Sequence, residues 1–237
     1  MEVYGHRGSR DPGPESSVAA VVAALVAGAD GVEVDVRRSR DGVLVCLHDA
    51  TLAGRPVRLT QAAALRTRGA PTPAEVLDAA AGHGRVVLEV KRPWRAGTVE
   101  QLLALLAERG GGDQPADDVV ISSFDPAALA AVRAGGGPAT GLLVRTGPLP
   151  AALRAALSLG CAELHAPVAA VVSAGPGAGA EVRAAGLRLV AWTVKPHRQA
   201  EVVAALTACG VDGIIVDDPA GVVALLRPGR AGPSGRR

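Results

Sequence analysis

Aromatic side chains are scarce: the 237 residues include one Phe, one Tyr and two Trp. A core must therefore be packed mainly by Val, Leu and Ala, and the length is ample to bury one. Cysteine is also sparse. Cys46, Cys161 and Cys209 are odd in number and lack ligand-like spacing, which argues against a disulfide framework or a zinc site and makes a reducing cytosol the expected compartment. No block of one charge sign occurs, and a formal charge of +2 argues against a dedicated nucleic-acid surface. The apolar run from Val18 to Ala29 is too short to span a bilayer, so no stable membrane insertion is expected. The first strand begins almost at once, leaving no room for a signal peptide. In the apolar run, Val18, Val21, Val22 and Leu25 keep helical spacing, the pattern of a buried helix.

What is present is a repeat of elements. Short β-branched runs at 2–5, 31–36, 85–90, 118–122, 141–144, 162–165, 187–192 and 211–216 alternate with Ala/Leu-rich amphipathic stretches at 15–27, 73–81, 98–108, 126–134, 149–157, 178–185, 199–207 and 219–226. Eight strands alternating with eight helices predict a closed parallel (β/α)₈ TIM barrel, with a short hairpin after the second strand. A doubly wound open sheet is the alternative. No linker divides residues 1–227, which read as one domain, and the Gly/Pro/Arg-rich tail 228–237 is expected to be disordered.

Barrel geometry selects the residues placed for chemistry, because active sites of this fold lie at the carboxyl ends of the strands. His6 and Arg7 follow strand one. Glu33 and Asp35, two apart on strand two, project together. Asp41-Gly42 between alternating apolar residues predicts a two-residue hairpin loop pairing Arg40 with Val43, which sets His48 opposite Asp35. Glu89 and Lys91 share a face at the end of strand three. Three carboxylates without a cation would repel one another, and a hard divalent ion, Mg²⁺ or Ca²⁺, resolves the conflict. Arg7 and Lys91 suit an anionic substrate such as a phosphate ester. Trp192 is expected to wall the pocket, His165 to stand near it, and His83 and His197 to lie outside. Asp41 reads as a turn former, Asp49 as a local cap and Glu15 as a helix opener after Pro14 or a pocket residue.

The ordered motifs His6-Arg7-Gly8, Pro14-Glu15, Glu33-Val34-Asp35, His48-Asp49, Thr72-Pro73-Ala74-Glu75, Glu89-Val90-Lys91, Ser123-Phe124-Asp125, Trp192-Thr193-Val194 and Val216-Asp217 resemble those of the glycerophosphodiester phosphodiesterases over essentially the whole barrel. The resemblance implies that Glu33, Asp35 and Glu89 ligate the metal, that His6 and His48 form the acid/base pair, and that Arg7 and Lys91 handle phosphate. It further implies hydrolysis of small-molecule glycerophosphodiesters to glycerol 3-phosphate and an alcohol by a monomer or homodimer. If the glycerol 2-hydroxyl attacks first, the reaction passes through a cyclic phosphate. Lysophospholipase D-type action on lipids is an alternative, as is a binding relative that has lost turnover. A Schiff-base aldolase at Lys91 is a further alternative, opposed by carboxylates that keep the amine protonated. The chain departs from the family pattern at Ser16, where Asn is usual after the Glu, at Lys195, where Asn usually follows Trp-Thr-Val, and in the short stretch between Leu52 and Pro71.

Overall fold

The computed structural model describes residues 1–10, 13–92, 94, 97–109 and 118–228. Eight parallel strands form its centre: β1 (Glu2–His6), β2 (Gly31–Arg38), β6 (Arg85–Val90), β7 (Val119–Ser123), β8 (Ala139–Leu143), β9 (Glu163–Pro167), β10 (Arg188–Val194) and β11 (Gly213–Val216). Each pairs with the next, β11 pairs with β1 and β1 with β2, so the sheet closes and the TIM barrel expected from the repeat is the observed fold. The open-sheet alternative is excluded.

Among the described residues ten helices pack around the strands: α1 (Val18–Val26), α2 (Ala62–Arg66), α3 (Pro73–Ala80), α4 (Thr98–Arg109), α5 (Pro126–Ala134), α6 (Leu149–Ser158), α7 (Val168–Ala174), α8 (Ala178–Ala184), α9 (Gln199–Cys209) and α10 (Pro219–Leu226). Several start on a polar cap followed by proline. Thr72 and Glu75 form a reciprocal capping box around Pro73, and Asp125 and Asp218 accept from the amides of Ala127 and Gly221 at 3.0 Å each. The helices bury Val, Leu and Ala against the outside of the sheet in two large clusters. None of the described helices is long and apolar enough to cross a membrane.

Helix α1 differs from its expected form in two ways. It starts at Val18, after Ser17 caps the amide of Ala20 at 3.1 Å, so Glu15 lies outside it. Ala20, Val21 and Ala24 are buried, whereas Val18 and Val22 are exposed. Small residues face the sheet because α1 sits close against the turn after β1. A Cβ on Gly8, which has φ +84°, would lie 2.5 Å from the carbonyl carbon of Ala20.

The hairpin also differs from its expected register. Strand β2 pairs antiparallel with β3 (Leu44–Cys46) through Val36 with Cys46 and Arg38 with Leu44, which places Leu47, not His48, level with Asp35. A two-residue type I′ loop needs positive φ at both central residues, but only Gly42 (+87°) has it. The loop therefore spans three residues, Arg40, Asp41 and Gly42, closed by Ser39 N donating to Val43 O at 2.9 Å. Asp41 ties the turn together by accepting from the Ser39 hydroxyl at 2.7 Å and from the amide of Ala62 at 2.9 Å. Beyond β3 a small ribbon, β4 (Thr51–Leu52) with β5 (Arg55–Pro56), and a short 3₁₀ turn at Val57–Leu59 lead into α2, over a satellite core of Val45, Val57, Ala62, Leu65 and Ala70. The tail expected at 228–237 lies, apart from Pro228, outside the described residues.

The barrel interior is filled by Tyr4, Val190 and Ile215, with Trp192 against them. Below the site lies a buried ion network: Glu163 accepts from Arg85 Nη1 at 2.5 Å and pairs with His165 Nε2 at 2.7 Å. His165 has room to lie flat because its neighbour is Gly141, where a Cβ would stand 2.8 Å from His165 Nε2.

Candidate active site

Strand register explains why four of the expected side chains meet. On the closed sheet His6 is level with Glu33, and one step further along Asp35 is level with Glu89. Laterally paired residues share a face, so the imidazole and three carboxylates converge at the carboxyl ends of β1, β2 and β6. They line a cavity of about 520 Å³ together with Arg7, His48, Lys91 and Trp192, and thus every expected site residue. His48 arrives by a different route from the one its spacing suggested. It lies beyond β3 in a loop, and Arg37 holds its carbonyl with a forked pair of hydrogen bonds of 2.9 and 2.7 Å. His165 also lines the cavity, from a fully buried position, whereas His83 and His197 do not.

Glu33, Asp35 and Glu89 each offer an oxygen within 4.8 Å of the others, and all three are buried. Burial, reinforced by the neighbouring carboxylates Asp35 and Glu89, pushes the Glu33 carboxyl well above the usual carboxylate range. The same causes, burial and then Asp35, raise Glu89 to about 7. Glu33 Oε2 and Asp35 Oδ2 are buried without a hydrogen-bond partner among the described residues. Such oxygens are costly to bury, and an all-carboxylate donor set of this kind fits a hard divalent cation. These residues could hold one.

Lys91 Nζ lies 3.0 Å from Asp35 and 2.8 Å from Glu89. Burial opposes its charge, but the two carboxylates prevail and raise its pKa, which removes the basis for an aldolase amine. Arg7 reaches Glu15 Oε2 at 2.6 Å while its Nε stands 3.4 Å from Asp35. Glu15 therefore positions an arginine rather than opening a helix.

Both histidines of the expected acid/base pair have their Nδ1 on an aspartate. His6 Nδ1 meets Asp217 Oδ1 at 2.6 Å, and His48 Nδ1 meets Asp49 Oδ1 at 2.7 Å. An aspartate at Nδ1 favours the proton there and leaves Nε2 for a ligand. Burial, the largest influence on His48, lowers its pKa and favours the neutral ring. Asp217 is buried, which by itself would raise its pKa, but His6 and the Lys195 ammonium at 2.8 Å hold it well below the usual carboxylate range. Sequence reasoning assigns Asp217 no role of its own, although its place directly after the last strand is where this fold presents functional groups. Asp49, expected as a cap, instead orients His48. The two positions that depart from the motif pattern have physical accounts: Ser16 takes a left-handed conformation (φ 63°), which Asn tolerates well, and Lys195 is the ion-pair partner of Asp217. Trp192 forms a wall, its ring meeting Phe124 edge-on with centroids 5.6 Å apart and its Nε1 donating to His165 O at 3.1 Å.

A sequence model of the glycerophosphoryl diester phosphodiesterase family matches residues 6–221, from the histidine of β1 to the first turn of α10. The chain belongs to that family. A glycerophosphodiester phosphodiesterase of Caldanaerobacter subterraneus subsp. tengcongensis is 28% identical over 96% of this chain and 98% of its own length. A Mycobacterium tuberculosis protein described as probable glycerophosphodiester phosphodiesterase 1 is 56% identical over 50 residues, a segment that spans only 18% of that relative. Among solved structures, a phosphodiesterase of Oleispira antarctica in complex with the product sn-glycerol-3-phosphate superposes with a TM-score of 0.78 at 25% identity, covering 95% of this chain and 96% of its own. The glycerophosphodiester phosphodiesterase of Thermotoga maritima gives 0.73 at 25% identity over 95% and 98%. As a member of this family the chain carries the fold of a phosphoric diester hydrolase.

Proposed function

We propose that this protein hydrolyses glycerophosphodiesters to glycerol 3-phosphate and an alcohol, with Glu33, Asp35 and Glu89 holding a divalent cation and His6 and His48 acting as general acid and base. The observation that carries the reading is the convergence, in one cavity, of two Asp-anchored histidines on three buried carboxylates, two of which, Glu33 and Asp35, have an unpartnered oxygen. A divalent cation in such a site polarises a phosphoryl oxygen and offsets charge that builds on it.

The rest of the chemistry falls to the chain's own groups. Arg7 and Lys91 supply positive charge for the phosphate, and their carboxylate partners fix where that charge sits. One histidine takes the proton of the nucleophile, the glycerol 2-hydroxyl or a water, through Nε2 while the other delivers a proton to the departing alkoxide oxygen; where the 2-hydroxyl attacks, a cyclic phosphate forms and water then opens it to glycerol 3-phosphate with the two roles exchanged. Asp217 and Asp49 stay at Nδ1 throughout, holding each ring in orientation and stabilising whichever imidazole is charged. Trp192 and Phe124 form one apolar wall of the cavity.

The test is release of choline and glycerol 3-phosphate from glycerophosphocholine, with and without chelator. We expect activity to disappear with chelator and return with Mg²⁺ or Ca²⁺. Full activity in excess chelator would refute the metal-assisted reading, and release of choline from lysophosphatidylcholine alone would replace the substrate class with a lipid one.

A further inference from the structure

Six arginine and lysine side chains line the active-site cavity, and five of them are committed to polar partners. Arg7 and Lys91 pair with the carboxylates described above, Lys195 pairs with Asp217, and Arg92 Nε lies 3.3 Å from Asp125 Oδ2. Arg37 directs its fork at the His48 carbonyl. Arg145 differs from all of these. It has neither a hydrogen bond nor an ion pair among the described residues, and its contact is with a ring: Arg145 Cζ stands over Phe124, 4.1 Å from the ring centroid.

That ring is itself fixed. Phe124 follows β7 directly and meets Trp192 of β10 edge-on, while Arg145 comes from the turn after β8, so the rim between β7 and β10 carries one aromatic platform with a cation on it. Strand β8 stands halfway round the closed sheet from β1, which puts Arg145 across the cavity from His6. Phe124 and Trp192 are half-buried and Arg145 is exposed, so the platform lies at the mouth. With its carbon over the ring, the guanidinium keeps its N–H donors free, in the planar fork that matches a carboxylate. It also occupies the ring face that a quaternary ammonium group would use. The platform is therefore closed to a cationic head group and open to an anionic one. A single cation balances a single charge, which suits a carboxylate better than a phosphate monoester carrying about two charges.

We propose that Arg145 selects glycerophosphodiesters whose alcohol half bears a carboxylate, which the guanidinium binds at the mouth of the cavity while Phe124 and Trp192 pack against the alkyl part. The inference rests on the hydrolase reading above and adds the chemical class of the leaving alcohol. Glycerophosphodiesters differ from one another in that half, and only the open side of a cavity accommodates groups of different size.

The test compares sn-glycero-3-phosphoserine with sn-glycero-3-phosphoethanolamine, two diesters that differ by one carboxylate on the alcohol half. Release of glycerol 3-phosphate is followed for both with divalent cation in excess, in the wild type and in Arg145→Gln, with thermal unfolding as the control for fold. In the wild type we expect kcat/KM to favour the serine diester by roughly fivefold or more, the weight of a well-oriented ion pair at an exposed position, and in Arg145→Gln we expect the ratio to fall toward unity. A wild-type ratio near unity, or a preference that Arg145→Gln leaves in place, overturns the proposal while the hydrolase reading stands. If neither diester is cleaved, the hydrolase reading fails, and titration calorimetry with the same two diesters decides the assignment of Arg145. Tighter binding of the serine diester by the wild type but not by Arg145→Gln upholds it; equal affinities, or no binding of either, refute it.

Discussion

Replacing Asp217 by Asn isolates the contribution of one charge to catalysis. The side chains are nearly the same size, so packing at this buried position is preserved, while the 2.6 Å contact to His6 Nδ1 loses its anion and Lys195 loses its partner. In the wild type the carboxylate both favours the Nδ1–H tautomer and stabilises the imidazolium that forms when His6 takes a proton. A hydrogen bond to a charged group contributes about 1.5–3 kcal/mol, which predicts a loss in kcat/KM of roughly ten- to hundredfold. If the amide also turns its NH₂ toward the ring and forces the other tautomer, the loss approaches roughly 10⁴-fold. The assay is choline release from glycerophosphocholine at saturating metal, with thermal unfolding as the control for fold. Nitrogen NMR of His6 reports the tautomer directly and would be silent to a purely structural defect elsewhere. Turnover within twofold of wild type in a folded Asp217→Asn variant would refute the orienting role and leave His6 without its proposed support.

Other predictions concern the metal, the histidines, the substrate and the backbone. Because the folded-state pKa of Glu89 is raised to about 7 and that of Glu33 is raised as well, their contribution to metal-free stability is present below the unfolded carboxylate pKa and lost as pH rises toward 7. A divalent cation should therefore raise the unfolding temperature more at pH 8 than at pH 5, and Glu89→Gln should flatten the metal-free pH profile; an equal rise at both pH values is the contrary outcome. His6→Ala and His48→Ala should each lower turnover by roughly 10²-fold or more, and unchanged turnover in either removes that ring from the mechanism. If the glycerol 2-hydroxyl is the first nucleophile, methylating it should abolish fast choline release while binding persists, since intramolecular attack gains effective molarities of roughly 10⁵ M. Gly8→Ala should lower the unfolding temperature by several degrees, because φ +84° and the 2.5 Å approach to Ala20 leave no place for a Cβ; an unchanged midpoint counts against that packing.

The alternation of β-branched and Ala/Leu-rich runs determines a parallel sheet covered by helices, and the eightfold repeat points to a barrel, but closure rather than an open doubly wound sheet is decided by the pairing of β11 with β1. Period two along β2 likewise suffices to put Glu33 and Asp35 on one face, and both reach the cavity as expected. The register of the hairpin was not readable from Asp41-Gly42, because that dipeptide serves a two-residue turn and the last positions of a three-residue loop equally, and only the backbone angle at Asp41 separates them. His48 thus reaches the site by a loop that the forked Arg37 contact holds, a contact no strand count contains. Asp217 stands 211 residues from His6, and its role exists only because closure brings β11 beside β1. The Glu15 pairing with Arg7 and the stacking of Arg145 on Phe124 are of the same kind. Local sequence sets which way a side chain points along its own element, whereas the partner it meets depends on ring closure and loop path, and these are properties of the whole chain.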